Sequence, residues 1–384
     1  MVYDRSMTPL VRIFHALLIA ALLLAAGAPG PLWAQTATPT VLPAETPAPL
    51  PTPDAAKLAL DAQIDALLAQ MSIADRVGQL FLITFQGSDT GFESDIAELI
   101  HGYRVGGVVL SARNGNFSNE KGIDTPAQVA TLINQLQALA FGVLLPTEQA
   151  LPEAWPATWP AADAISLEQV TAVPPVNVPL FIAVEQAGDS LPATALRREF
   201  TPLPSEMALG ATWNPDLANQ VGQIVGRELA AVGVNLLLGP NLDVLEQPRP
   251  DLAGGLGTHS FGGDPYWVSQ MGRAYIAGVH VGSGGRLATV ARHFPGAGDA
   301  DRLQDQEVAT VQRSTEELRR VALPPFLAVT RGASSILSPN GEPAATDALM
   351  SSHIRYSGFQ GSSLGRNTPI SLSPELGIVL EQEG

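Results

Sequence analysis

The 384-residue sequence contains no cysteine. That absence excludes disulfides, thiolate metal sites, a cysteine nucleophile and a lipid-modified N-terminal cysteine. Cations are scarce as well: 21 Lys and Arg stand against 37 Asp and Glu, a formal charge of −16. A surface that acidic repels phosphate backbones, which argues against nucleic acid as a partner. The N-terminal apolar run, Ala16–Ala26, has eleven residues, short of the ~20 that a membrane-spanning helix needs. What is present is a hydrophobic content of 46%, enough for a real core in one large domain or two ordinary ones.

Arg5 and Arg12 precede that apolar run, and GAPGPLWA follows it. A basic start, a short apolar centre and a small residue at Ala34 predict an export signal over 1–34 and a product that is secreted or held in the cell envelope. No stable membrane span is expected after processing. Leu32 departs from the small residue usual two positions before cleavage, so an uncleaved anchor is the other reading. Residues 35–56 open with QTATPTVLPAETPAPLPTPD, a composition that cannot bury a core and reads as an extended tether. The folded domain then runs over 57–384, with a second Pro/Ala-rich stretch, about 145–176, read as an insertion. No repeat is visible in the sequence.

Helix and strand signals alternate from residue 57 onward. Asn214 and Pro215 open a helical pattern in which Leu217, Val221, Ile224 and Val225 recur at helical spacing. Asp264 and Pro265 open another, with Val268, Met271, Tyr275 and Val279. Ser314 and Glu317 have the spacing of a capping box. The strands PLFIAV, VNLLLG, LATVA and ALMSS are continuous apolar runs, as in a parallel sheet buried on both faces. Each leads into polar residues: Glu185-Gln186, Asn241 and Asp243, Arg292-His293, and His353. A closed parallel (β/α) barrel gathers all such ends on one rim; a doubly wound open sheet gathers them less completely.

One stretch, ARHFPGAGDADRLQDQE (291–307), places a cation and an imidazole at the end of an apolar strand. His-Phe-Pro-Gly within ARHFPGAG (291–298) resembles the K-H-F-P-G-H-G motif of glycoside hydrolase family 3. LPSEMALGATWNPDLANQVGQIVGRELAAVGVNLLLGPNLDV (203–244) resembles that family over its whole length. GTHSFGGDP (257–265) resembles G-T-R-S-F-G-x-D-P, and VGQLFLITFQG (77–87) and VGGVVLSARN (105–114) resemble the first two strands. From about residue 68 onward the chain is similar to the N-terminal barrel of the family, in its bacterial β-N-acetylhexosaminidase branch. The resemblance implies an α/β fold, a (β/α)8 TIM-like barrel of which about six β/α units are present. It implies a carbohydrate or glycan substrate and no metal or organic cofactor. Arg292, His293, Glu185 and His259 then become the sugar-binding residues, with arginine in place of the family's lysine, glutamate for aspartate and histidine for arginine. Asp264 reads as a helix cap.

The chain also departs from the family pattern. Ala187 replaces an acid, Ala297 replaces the second histidine of the motif, and no histidine lies between 294 and 352. The loop that carries the branch's acid/base histidine therefore offers Asp305 as its candidate for proton transfer, although Asp299, Asp301 and Asp305 in one loop also read as a solvated turn. The family's nucleophile lies one strand beyond the segment resembling 368–384. Two readings follow. One is an inherited retaining hydrolysis of β-N-acetylhexosaminides or β-glucosides in glycan metabolism, expected to be inactive in the chain as it stands. The other is a non-catalytic carbohydrate-binding or envelope-associated protein on the same scaffold.

Overall fold

The computed structural model describes residues 53–142, 177–188, 194–246, 257–302, 308–330, 344–360 and 368–383. The segment read as an export signal, nearly all of the one read as tether, the one read as an insertion, and Asp305 lie outside them. The chain divides into two units, 1–60 and 61–384. A helix, α1 (Pro53–Gln70), begins inside the segment read as tether; its Ala- and Leu-rich sequence without glycine favours helix. Among the described residues no helix is long and apolar enough to cross a membrane.

Eight short strands follow: β1 (Leu82–Ile83), β2 (Gly107–Val109), β3 (Phe181–Val184), β4 (Leu236–Leu237), β5 (Ala288–Phe294), β6 (Thr310–Val311), β7 (Ala348–Ser351) and β8 (Arg355–Tyr356), counted among the described residues. Six of them form one sheet in the order β1-β2-β3-β4-β5-β7. Every pairing in it is parallel. Its strands alternate with helices, as the apolar runs predict, and it forms the curled part-barrel expected of about six β/α units. β6 and β8 pair separately, also in parallel. Side chains alternate across the sheet. Val108, Ile182, Val184, Leu237 and Ala291 join the main core under the helices. Ala183, Leu238 and Val290 form a smaller cluster on the opposite face with Val109, Leu236 and Met350.

The helices obey their local signals. In α2 (Ile73–Gly78), Ser72 and Asp75 make a reciprocal cap. After α3 (Asp95–His101), α4 (Thr125–Ala140) buries Val129, Leu132, Leu136 and Leu139 on one face. A short α5 (Glu206–Gly210) is capped by Ser205. Asn214 caps α6 (Pro215–Ala231), and Asp264 caps α7 (Pro265–Ser283) by accepting from the Trp267 N–H at 3.1 Å. Ser314 and Glu317 close the expected box at the head of α8 (Thr315–Glu317), which widens into one π-helical turn over Leu318–Ala322 before α9 (Pro324–Thr330). The last helix is α10 (Glu375–Glu383).

One helical face differs from the periodicity reading. Val268, Met271, Tyr275 and Val279 of α7 are buried as expected, but on α6 Leu217 is exposed and Val221 and Ile224 are half-buried. The packed face of α6 is Ala218, Gly222, Val225, Gly226 and Leu229. Glycine lets the two backbones touch: a Cβ on Gly222 would stand 2.3 Å from the Tyr275 carbonyl oxygen, and one on Gly278 would stand 2.1 Å from that of Asn219. Hydrophobicity scoring overlooks such a seam, because its contacts are backbone to backbone.

Candidate functional site

β3 stops at Val184 and delivers Glu185 to the carboxyl end of the sheet. The loop behind it is braced by Gln186, which is buried and both donates to the Leu196 carbonyl (2.7 Å) and accepts from its N–H (3.0 Å). β5 does not end before Arg292, as its apolar run implies. It continues to Phe294, with Arg292 paired to Met350 on β7 and bridged to Asn241 beyond β4. The Arg292 side chain is therefore held inside the sheet end, buried, and its Nη1 donates to Glu185 Oε1 at 2.7 Å. Glu185 remains 41% exposed, so the pair has a buried cation and an accessible carboxylate.

Asp243, fully buried beyond β4, organises the other half of the site. Its Oδ2 accepts from His293 Nδ1 at 2.8 Å, and its Oδ1 accepts from the Ala297 N–H at 2.6 Å. A carboxylate only accepts, so the imidazole proton lies on Nδ1 and Nε2 is the ring's remaining polar atom. The turn after His293 is closed by Gly296, at φ +119°, whose N–H donates to the His293 carbonyl at 2.8 Å. A Cβ on Gly298 would lie inside the Val244 backbone. The buried Tyr356 hydroxyl donates to the Gly296 carbonyl at 2.9 Å, and burial pushes that phenol well above its usual range.

Glu206, at the start of α5, is the site residue that sequence reasoning missed. It is buried beneath the strand ends and accepts from the Asn241 N–H at 3.1 Å. Burial pushes its carboxyl up to about 7; the Asn241 N–H and the Arg292 charge oppose that rise, while Asp243 and Glu185 add to it. The sequence signal was a lone acid inside an otherwise apolar block, ordinarily read as a favourable charge at a helix start.

The remaining expected residues are less closely joined. His259 is half-buried in the loop before α7. Its neighbours tie that loop to the site: Ser260 Oγ donates to the Asp243 carbonyl at 2.7 Å, and Thr258 accepts from the Met207 N–H at 3.0 Å. His353 turns to Ser371 Oγ at 2.7 Å and takes no part in the Glu185–Arg292–His293–Asp243 cluster. In the acidic loop, Asp299 pairs with Arg313. Asp301 accepts from the Thr310 N–H at 2.7 Å; burial raises its carboxyl, but that bond and Arg302 outweigh it and hold it below the usual range. Both acids thus hold their own loop and its neighbours in place. A cleft of about 690 Å³ opens beside Glu185, bounded by Thr84, Ser111, Arg113, Asn114 and Thr194, a size suited to a small ligand. Among the described residues no group of three or more His, Asp or Glu is placed to hold a metal ion.

Comparison with known proteins fits this geometry. The model of the glycosyl hydrolase family 3 N-terminal domain matches residues 72–383. Beta-hexosaminidase A of Pseudoalteromonas piscicida is 24% identical over 278 residues, 72% of this chain and 37% of that protein. A beta-hexosaminidase of Pseudomonas aeruginosa is 30% identical over 190 residues, 49% of this chain and 51% of that protein. The structure of a family 3 β-N-acetylglucosaminidase from Paenibacillus sp. str. FPU-7 superposes with a TM-score of 0.60 at 28% identity, covering 82% of this chain and 47% of the other. The chain thus spans about half the length, or less, of the curated relatives it matches.

Proposed function

We propose that this chain, which belongs to glycosyl hydrolase family 3 through its N-terminal domain, binds an N-acetylhexosamine or glucose unit at the carboxyl ends of β3, β4 and β5, as the sugar-binding part of a β-glycosidase. The observation that carries this reading is the pair of adjacent, oppositely built contacts: Arg292 Nη1 to Glu185 at 2.7 Å and His293 Nδ1 to Asp243 at 2.8 Å. Vicinal sugar hydroxyls donate and accept at once. Glu185 offers them an accessible acceptor, Arg292 a planar fork of donors, and His293 Nε2 a ring nitrogen whose partner is fixed by the other side of the ring. The beta-hexosaminidase relatives support the class of sugar.

Retaining hydrolysis needs two carboxyl groups about 5–5.5 Å apart, one forming a glycosyl-enzyme and the other passing the proton. Asp305 is our candidate for the proton-transfer group in the loop after the Gly296 turn; the nucleophile is expected in the family's next strand. A specific observation also favours the binding-only reading. Ala187 and Ala297, which stand where the family carries an acid and a histidine, are both buried. The same protein is proposed to act outside the cytoplasm after export, which N-terminal sequencing of the processed product checks.

Calorimetric titration with N-acetylglucosamine and with glucose tests the site. Arg292→Ala and His293→Ala should each lose binding by on the order of 1–3 kcal/mol if a charged hydrogen bond is removed. Unchanged affinity in both variants would show that the strand-end pair is structural. Aryl β-N-acetylglucosaminide turnover that vanishes in Asp305→Asn would establish the proton-transfer role.

A further inference from the structure

We propose that Glu206 is a positioning residue for Arg292: a buried carboxyl that, once ionised, fixes the guanidinium for sugar hydroxyls, so that sugar binding strengthens as pH rises. The inference rests on the sugar-binding reading above and adds to it a residue and a pH dependence.

Burial and connectivity come first. Glu206 is 3% exposed, Asn241 1% and Arg292 5%. Glu206 Oε1 accepts from the Asn241 N–H, and Asn241 is bridged to Arg292 where the β4–β5 pair ends. On either side of that bridge, the Leu242 N–H donates to the Arg292 carbonyl at 2.7 Å and the Arg292 N–H to the Pro240 carbonyl at 3.1 Å. Glu206 is thus hung on the same backbone that sets the root of the Arg292 side chain.

The unmet polar atoms point the same way. Glu206 Oε2 has no hydrogen-bond partner, and neither has Arg292 Nε, while Arg292 Nη1 is already taken by Glu185. Asn241 Nδ2 is a second unmet donor, but it carries no charge, and an ionised oxygen favours the charged donor. Beside the Asn241 N–H, the charged and titratable groups acting on or against Glu206 are Arg292 from β5, Asp243 from beyond β4, Glu185 from beyond β3, and Tyr275 from α7. Asp243 is engaged by His293. Among the charged groups only Arg292 stabilises the Glu206 anion, alongside the Asn241 N–H. Titration of Glu206 near neutrality therefore changes how Arg292 is held: by the Glu185 charge alone below that range, and by the charges of Glu185 and Glu206 together above it. Restraint by a second carboxylate leaves fewer orientations of the fork to freeze when a sugar binds.

The test is titration of the 384-residue protein with N-acetylglucosamine at pH 6 and pH 8, with Glu206→Gln in parallel. Glu206 ionisation is followed by carbon NMR of labelled glutamate carboxyls in wild type and Arg292→Gln. Wild-type affinity should rise about threefold or more between the two pH values, and Glu206→Gln should show no such rise. The NMR midpoint of Glu206 should move upward in Arg292→Gln. Equal affinity at both pH values in the wild type, or the same rise in Glu206→Gln, overturns the proposal. If Glu206→Gln does not fold, a wild-type binding midpoint that matches the NMR midpoint supports it, and a mismatch overturns it. Absence of sugar binding at any pH defeats the sugar reading instead. The coupling is then decided by NMR alone: an unmoved midpoint in Arg292→Gln overturns it.

Discussion

Asp243 takes the His293 imidazole on one oxygen and the N–H of the turn behind it on the other, at 2.8 and 2.6 Å. One buried carboxylate therefore sets both the tautomer of the His293 ring and the path of the chain after β5. Asp243→Asn replaces one acceptor by an amide donor facing donors. It is expected to cost about 1–3 kcal/mol of stability through the unmade bonds, read by urea unfolding, and to weaken N-acetylglucosamine binding as much as His293→Ala does. Wild-type stability and affinity in Asp243→Asn would remove Asp243 from the site.

The buried Glu206 makes stability depend on pH in a defined direction. Its carboxyl is raised from 4.5 to about 7 in the fold, so the folded state holds the proton more tightly than the unfolded one. The stabilisation from that proton is complete below about 4.5 and is lost as pH rises to about 7, by about 3 kcal/mol in all. Glu206→Gln should lack this decline. The difference between the two proteins in unfolding free energy, measured from pH 4.5 to 7.5, isolates it from every other carboxyl. A constant difference would mean that Glu206 is ionised throughout.

How much of this was legible in the sequence differs by element. The parallel sheet was legible because PLFIAV, VNLLLG and LATVA are apolar without alternation, and Ile182, Ala183 and Val184 of β3 prove buried on its two faces, with only Phe181 at its start exposed. Glu185, Asp243 and the Arg292-His293 pair were legible as polar residues ending such runs. Their mutual contacts were not, since Glu185 and Arg292 are 107 residues apart. That β5 runs through Arg292 to Phe294 depends on pairing with Met350, which no local pattern encodes. Glu206 was illegible for a related reason: only tertiary packing over α5 buries it, and an acid one residue past a serine cap usually faces water. On α6 the branched residues drew attention away from the glycines that make the contact.

That seam gives a contrasting pair of glycine substitutions. Gly278→Ala forces a Cβ to 2.1 Å from the Asn219 carbonyl oxygen, a backbone atom that cannot swing aside. Overpacking of this kind costs about 1–3 kcal/mol, more than the gain in helix propensity. Gly377→Ala, in α10, meets nothing within 4 Å and should stabilise by about 0.5–1 kcal/mol. Thermal unfolding of the two variants should shift in opposite directions. A stabilised Gly278→Ala would mean that α6 and α7 are not packed this closely.

Glu185 and Arg292 depart together from the family's pattern of aspartate and lysine, one side chain longer in each case by reach or by fork. Their contact at 2.7 Å leads us to expect that the two changes are coupled. Glu185→Asp alone should retract the carboxylate from Nη1, and Arg292→Lys alone should leave Glu185 facing a point charge without the fork. Because Glu185 is 41% exposed, solvent screening limits the pair to about 1 kcal/mol or less in stability. Sugar affinity is the more sensitive readout under the sugar-binding proposal, since Glu185 lines the cleft and Arg292 holds it from behind. In a double-mutant cycle the two single variants should each weaken N-acetylglucosamine binding, and Glu185→Asp with Arg292→Lys should recover part of the loss. Strict additivity of the two effects would show that the residues act independently, and that each departure from the family needs its own cause.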